Sequence, residues 1–234
     1  MTHYLTAAQG GTTPPARFAA VVVRRNPMAG LVPEASELHT AADLAGRRVG
    51  APPGSRLVAE YEAALAQAGI GAPALVPVEY MEAPAALARG EIEVVADFVD
   101  LVPRTRRLAG IPIRAVPVGP DVYASGLVVA DRLPLEQARR LRDAVVAALH
   151  RQRLDPRSGL AELRRRYPEV DPDEALEGWS LAEPNIFTSD GVGHMDGPGW
   201  DAAVAFTAAA HGFTAPAPEA IYRPELAVGP SVSA

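Results

Sequence analysis

The chain of 234 residues contains no cysteine, and every one of its 22 basic residues is arginine, since lysine is absent as well. Without cysteine there is no disulfide, no thiolate nucleophile and no cysteine zinc site, and the redox compartment is left open. Without lysine, Schiff-base and amine-nucleophile chemistry is excluded. The five histidines, at 3, 39, 150, 194 and 211, have no ligand spacing, so no metal site is expected. The phosphate-loop, G-x-G-x-x-G, G-x-S-x-G and H-E-x-x-H patterns are all missing, and no cofactor is implied. No run approaches the roughly 20 apolar residues of a membrane span. The opening MTHYLTAAQGGTTPP lacks a basic segment followed by an apolar one, which predicts a chain without a secretory leader. A net charge of −6 and a pI near 5.4 argue against a nucleic-acid footprint.

With 48% hydrophobic and 21% charged residues, the composition is that of a globular protein able to bury a real core. The stretch that organises it is DLAGRRVGAPPGSRLVAEYEAALAQAGI, from Asp43 to Ile70. Val49-Gly50-Ala51 has the character of a buried strand end. Pro52-Pro53-Gly54 then forbids helix and permits a tight reversal. From Leu57 the apolar positions follow a period of about 3.6 residues through Val58, Tyr61, Ala64, Leu65 and Ala68, and Gly69 supplies the stop. A helix opened by Ser55 therefore starts at a strand's carboxyl end. Its free N–H groups, the Ser55 hydroxyl and Arg56 suit an anion there; alternatively Ser55 only caps the helix.

Along the rest of the chain, residues 2–9 read as a short helix, and Phe18–Val23 as a strand covered on both faces. Residues 24–30 break regularity with Pro27 and Gly30, which puts Asn26 and Met28 on a strand-end loop. A helical turn at 41–45 precedes the central strand. Ala74–Glu79 and Ile92–Phe98 read as strands with a helix at 83–89 between them. Two β–α–β passes follow, hence parallel strands. Asp97 ends its strand and could pair with Asp100 as two carboxylates. Strands are expected at 111–118 and 125–129, with Tyr123 in the loop between them.

The second half is helical. A helix at 135–152 carries Ala138, Leu141, Val145, Ala148, Leu149 and Gln152 on one face and Arg139, Arg140 and Arg142 opposite. Ser158 opens another, with Leu160, Leu163 and Tyr167 as its stripe. Asp171-Pro172-Asp173-Glu174 is a well-formed start for a helix reaching Trp179. The glycine-rich run 191–196 reads as a loop before the last helix, Trp200–His211, which Gly212 closes. Trp179 and Trp200 are expected in the core. The tail from Thr214 reads as a surface strap with a disordered end.

Asn26/Met28, Gly54/Ser55/Arg56, Asp97/Phe98 and Tyr123/Ser125 all fall at or just beyond strand termini, where open α/β sheets bind small ligands. One helix terminus, an arginine and an aspartate suit a small anionic or zwitterionic organic molecule.

TAADLAGRRVGAPPGS (40–55) and AALARGEIEVVADF (85–98) resemble the type II solute-binding proteins of ABC importers, in the branch for nitrate, alkylsulfonates, taurine and thiamine pyrimidine precursors. The tryptophan-bearing helices and Ile221–Pro224 also fit, and the likeness spans about residues 18–225. It implies an α/β fold of two lobes closing on a solute, with 30–122 the second lobe and 1–29 plus 123–234 the first. It further implies an ABC permease partner and a periplasmic or extracellular, membrane-anchored location. Three β–α units that open the family's first lobe have no counterpart before Phe18. That departure predicts an N-terminally truncated or cytoplasmic form, or a second chain that completes the lobe. A few relatives of the fold are enzymes, of the pyrimidine-phosphate synthase, chorismate dehydratase and sulfinate desulfinase types. This makes an enzyme the alternative, although the desulfinase type relies on a cysteine that is absent here.

Overall fold

A computed structural model of the chain describes residues 4–5, 15–214, 216–217 and 220–227. Most of the expected N-terminal helix and loop, and the expected disordered end, lie outside the described residues. The elements run β1 (Ala16–Val23), β2 (Met28–Pro33), β3 (Arg48–Ala51), α1 (Arg56–Gln67), β4 (Ala74–Pro77), α2 (Ala83–Ala88) and β5 (Val94–Phe98). Then come α3 (Val102–Ala109), β6 (Ile113–Pro117), β7 (Ser125–Ala130), α4 (Leu135–Leu154), α5 (Pro156–Arg166), α6 (Pro172–Ile186) and α7 (Gly197–His211). They form two compact units: Met1–Asn26, Asp121–Val170 and Glu183–Ala234 make the first, and Pro27–Pro120 with Asp171–Ala182 the second.

In the second unit a five-stranded sheet has the order β4-β3-β5-β2-β6. The two β–α–β passes place β3 parallel to both β4 and β5, as the sequence predicts. The expected loop at 24–30 is corrected. Met28 and Gly30 belong to β2, which pairs antiparallel with β5 on one side and β6 on the other. Backbone pairing along both edges outweighs the local signals of Pro27 and Gly30, and Met28 is fully buried. Glycine is required at 30, because a Cβ there would lie 2.8 Å from both the Tyr61 hydroxyl and Val94. Residues 99–110, unassigned by the sequence, hold a 3-10 turn at Val99–Leu101 and then α3, which carries Val102 into a core of Leu31, Leu87, Ile92, Val95 and Ile113. Asp171–Ala182 joins this unit through ion pairs of Arg106 with Glu177 and Arg107 with Glu174, and through Leu181 against the same core.

The Pro52-Pro53-Gly54 turn carries Gly54 at φ +66°, and Ser55 caps α1, its hydroxyl accepting from the Val58 N–H at 3.4 Å. Tyr61, Ala64 and Leu65 are the buried face of α1, whereas Ala68 is exposed beyond the helix end.

In the first unit β1 pairs antiparallel with β7, and its Phe18 bridges to Tyr222. Trp200 at the start of α7 is fully buried, with ring centroids 4.8 Å from Phe18, 5.3 Å from Tyr123 and 5.5 Å from Tyr222. The tail is not a surface strap at 221–226: Ile221, Tyr222, Arg223 and Leu226 are buried, since β1 accepts them as an additional edge. The face predicted for α4 is rotated. Only Ala138 is buried and Leu141 is exposed, while Arg142, expected outside, donates to the Leu226 carbonyl at 2.7 Å. Asp155, not Ser158, caps α5, accepting from the Ser158 N–H at 3.1 Å; of the predicted stripe Leu163 and Tyr167 are exposed and Leu160 is half-buried. Asp171 caps α6 as expected, but that helix runs past Trp179 to Ile186.

Candidate functional site

β2 runs opposite to β5 and β6, and β3, β4 and β5 are parallel. One edge of the second unit's sheet therefore collects the carboxyl ends of four strands and the start of β2. Six of the sequence-nominated residues lie along it: Met28, Gly54, Ser55, Arg56, Asp97 and Phe98. Met28 sits directly opposite Phe98 in the ladder. Arg56 is exposed at the first turn of α1, beside a hydroxyl already engaged in capping. If Ser55 serves its helix alone, Ser55→Ala lowers stability by about 1 kcal/mol and leaves solute affinity unaltered. Urea unfolding and calorimetry read the two effects separately, and a loss of affinity would put the hydroxyl on the solute.

Asp97 is 4% exposed and borders a water-sized hollow lined by Tyr80, Pro84, Val95, Arg104, Thr105 and Leu108. Burial pushes its carboxyl up to about 7, against the opposing hydrogen bond from the Phe98 N–H at 3.1 Å. Burial also raises Asp100. The folded chain thus binds a proton at Asp97 that the unfolded chain releases near pH 4. Stability from this group is greatest below pH 4 and falls as pH rises towards 7. Asp97→Asn keeps an acceptor for Phe98 and removes the ionisation. The variant should be more stable than the parent at pH 8, with a gap that closes towards pH 4 in thermal melts.

The first unit holds a larger hollow. An open cavity of about 310 Å³ is lined by Arg24, Arg25, Asp121, Val122, Tyr123, Thr188, Asp190, Asp196, Pro198, Gly199 and Ala202. That volume is at the lower end for small-molecule pockets. Arg24 follows the last residue of β1, and its backbone N–H is held by the Asn185 carbonyl at 2.7 Å. Its side chain is 10% exposed, lies 4.5 Å over the Tyr123 ring and gives Nη2 to Asp190. Its Nε and Nη1, and the Thr188 hydroxyl, are buried without a hydrogen-bond partner among the described residues. Such donors carry the cost of desolvation until an acceptor reaches them.

Asp196 holds the opposite wall. It caps α7 through the Gly199 N–H at 2.6 Å, accepts the Tyr123 hydroxyl at 3.1 Å and lies 3.0 Å from His194 Nε2. Burial alone would raise Asp196, but the Gly199, His194 and Tyr123 hydrogen bonds hold it below the usual carboxylate range. Burial raises the Tyr123 phenol, with Arg24 opposing. Gly199 is needed for the close approach, because a Cβ there would overlap the Tyr123 ring. At the rim Arg25 pairs with Asp121 at 3.4 Å.

Of the nominated residues, Tyr123 alone lines this cavity; Ser125 sits opposite Val23 in the ladder, and Asn26 ends the unit's first segment. Arg24, Arg25, Thr188, Asp190 and Asp196 were missed. The legible signals were the Arg-Arg pair directly after an apolar strand and the Asp196-Gly197-Pro198 helix start. Among the described residues no group of three or more His, Cys, Asp or Glu could hold a metal, and no helix is long and apolar enough to cross a membrane.

No curated protein matches the chain. Solved structures do. One is the ligand-binding component of an ABC-type import system from Staphylococcus aureus with zinc bound, at TM-score 0.62 and 17% identity over 99% of this chain and 79% of that one. The periplasmic aliphatic sulphonate-binding protein SsuA of Escherichia coli gives 0.60 and 19%, covering 86% and 65%. The alkanesulfonate-binding protein SsuA of Xanthomonas axonopodis pv. citri bound to MOPS gives 0.58 and 20%, covering 92% and 76%. These likenesses show the type II periplasmic-binding-protein-like α/β fold that the sequence predicted. The NMT1/THI5-like family model matches residues 2–152, well over half the chain. The chain belongs to the NMT1/THI5-like family.

Proposed function

We propose that this protein binds a small anionic or zwitterionic organic solute, as the substrate-binding component of an ABC importer of the sulfonate, nitrate or thiamine-precursor type. The two compact units are assigned to the two lobes of that fold. The observation that carries the reading is the Arg24 guanidinium, nine-tenths buried beside a cavity with two of its nitrogens unpartnered. An oxygen-bearing anionic group answers those donors. Asp190 and Asp121 at the same cavity are paired with Arg24 and Arg25, so a cationic end on a zwitterion would share carboxylates that are already engaged. The similar proteins whose names specify sulfonates support the acidic head group. Ser55, Arg56, Asp97 and Phe98, at the sheet edge of the second unit, remain proposed solute-contacting residues in their own right, and an ABC permease is proposed as the partner at a membrane.

The test is calorimetry and thermal shift with alkanesulfonates, aminosulfonates, nitrate, aminopyrimidines and aromatic carboxylates. A receptor gains stability with ligand by mass action, about 2.7 kcal/mol at a hundredfold excess over Kd. No stabilisation by any compound, with turnover of one, would transfer the assignment to an enzyme on this fold.

A further inference from the structure

In the first unit the α4–α5 hairpin is anchored through α4, whose Ala138 is buried and whose Arg142 donates to the Leu226 carbonyl, while its outer side is exposed. The two helices meet at a tight corner, where Gln152 donates to the Pro156 carbonyl at 3.3 Å and Gly159 leaves room for the Gln152 side chain. α5 has no buried residue. Leu154 at the corner is 86% exposed, Tyr167 at the far end 51% and Leu163 between them 42%.

The same stretch is the basic pole of an acidic chain: residues 135–167 hold nine arginines against four carboxylates, in a chain of net charge −6. Arg140, Arg142, Arg153 and Arg165 are paired with carboxylates. Arg139, Arg151, Arg157, Arg164 and Arg166 form no ion pair among the described residues. On a helical wheel of about 100° per residue, Leu160 and Leu163 lie about 60° apart. Arg157 and Arg164 lie within about 60° of Leu160 on one side, and Arg166 about 60° beyond Leu163 on the other. Tyr167 follows as the C-cap.

A second copy is a poor occupant, because two such faces would oppose arginine to arginine. Residues 1–3, 6–14 and 228–234 hold no Asp or Glu, and Glu219 is the one acidic side chain among the undescribed residues, too little to match nine arginines. What fits is a broad anionic surface with an apolar layer a few ångströms beneath it. Exposed Leu and Tyr can enter that layer, while arginine stems extend to the charged plane.

We propose that the α4–α5 hairpin is a docking surface for an anionic lipid bilayer, with α5 lying in the interface and Arg157, Arg164 and Arg166 on the headgroups. The assignment is independent of the solute.

Co-sedimentation of the full chain with phosphatidylglycerol-containing vesicles, against pure phosphatidylcholine vesicles, tests it. Binding is expected to the first only and to weaken as salt rises. The triple variant Arg157→Glu, Arg164→Glu, Arg166→Glu should lose about tenfold or more in partitioning. Leu163→Ser with Tyr167→Ser should lose binding while keeping the charge. Both variants alter exposed positions and should stay folded. The triple variant should melt slightly lower, because glutamates at 164 and 166 would oppose the dipole in the last turn of α5. The melt reads that change, and the Leu163/Tyr167 variant separates it from vesicle binding. Absence of binding to anionic vesicles overturns the proposal. So does binding indifferent to salt or to both variants, or retention on an acidic protein surface without any on vesicles.

Discussion

Arg24→Ala is expected to weaken solute binding by about a hundredfold or more. Two hydrogen bonds to a charged group contribute about 1.5–3 kcal/mol each, and every 1.4 kcal/mol is a factor of about ten in Kd. Among the described residues the buried nitrogens Nε and Nη1 have no hydrogen-bond acceptor, so a bound acceptor meets donors that are otherwise only stacked on the Tyr123 ring. Folding should be less affected. The variant loses packing over the Tyr123 ring and one ion pair to Asp190, whose side chain is 45% exposed and can be rehydrated. Arg24→Lys keeps the charge without the planar fork and should fall between parent and alanine variant. Calorimetry with the best compound of the panel decides the matter. If Arg24→Ala binds as well as the parent, the solute sits elsewhere, and the sheet edge at Ser55 and Asp97 becomes the candidate.

Trp200→Ala should cost the first unit about 3–5 kcal/mol, the range for deleting a large buried aromatic. Trp200 is fully buried and joins three other rings, stacking on Tyr222 at an interplanar angle of 11° and meeting Tyr123 edge-on. Its removal leaves Phe18 on β1 and Tyr222 on the tail without the body between them. It also withdraws support from Tyr123, and hence from one wall of the cavity. Solute binding should therefore fall with stability, whereas Arg24→Ala separates the two. Trp200→Phe should be milder, because Nε1 has no hydrogen-bond partner among the described residues and the smaller ring still fills most of the space. Urea denaturation measures both, and a loss below about 1 kcal/mol for the alanine variant would mean the cluster is not the core of this unit.

Features whose causes are local were legible in the residues. Pro52-Pro53-Gly54 can only turn, Ser55 and Asp171 can cap within three residues of themselves, and Gly212 accepts the left-handed conformation that closes α7, at φ +68°. The same holds for the parallel strands, which follow from two short β–α–β passes. Periodicity was less secure where charge and apolar positions interleave: it put Arg142 outside and Leu141 inside α4, and the Leu226 carbonyl reversed them.

By itself the sequence determined the α/β class, the resemblance to solute-binding proteins, the turn and cap that launch α1, and the exclusion of thiolate and lysine chemistry. Only the tertiary structure decided that Met28 is a buried strand residue, because pairing partners on both sides of β2 come from residues far along the chain. Only it brought Arg24 to Thr188 and Asp196, about 165 positions apart in the chain. A donor left unpartnered is a property of everything around it, and no spacing within a single stretch encodes that.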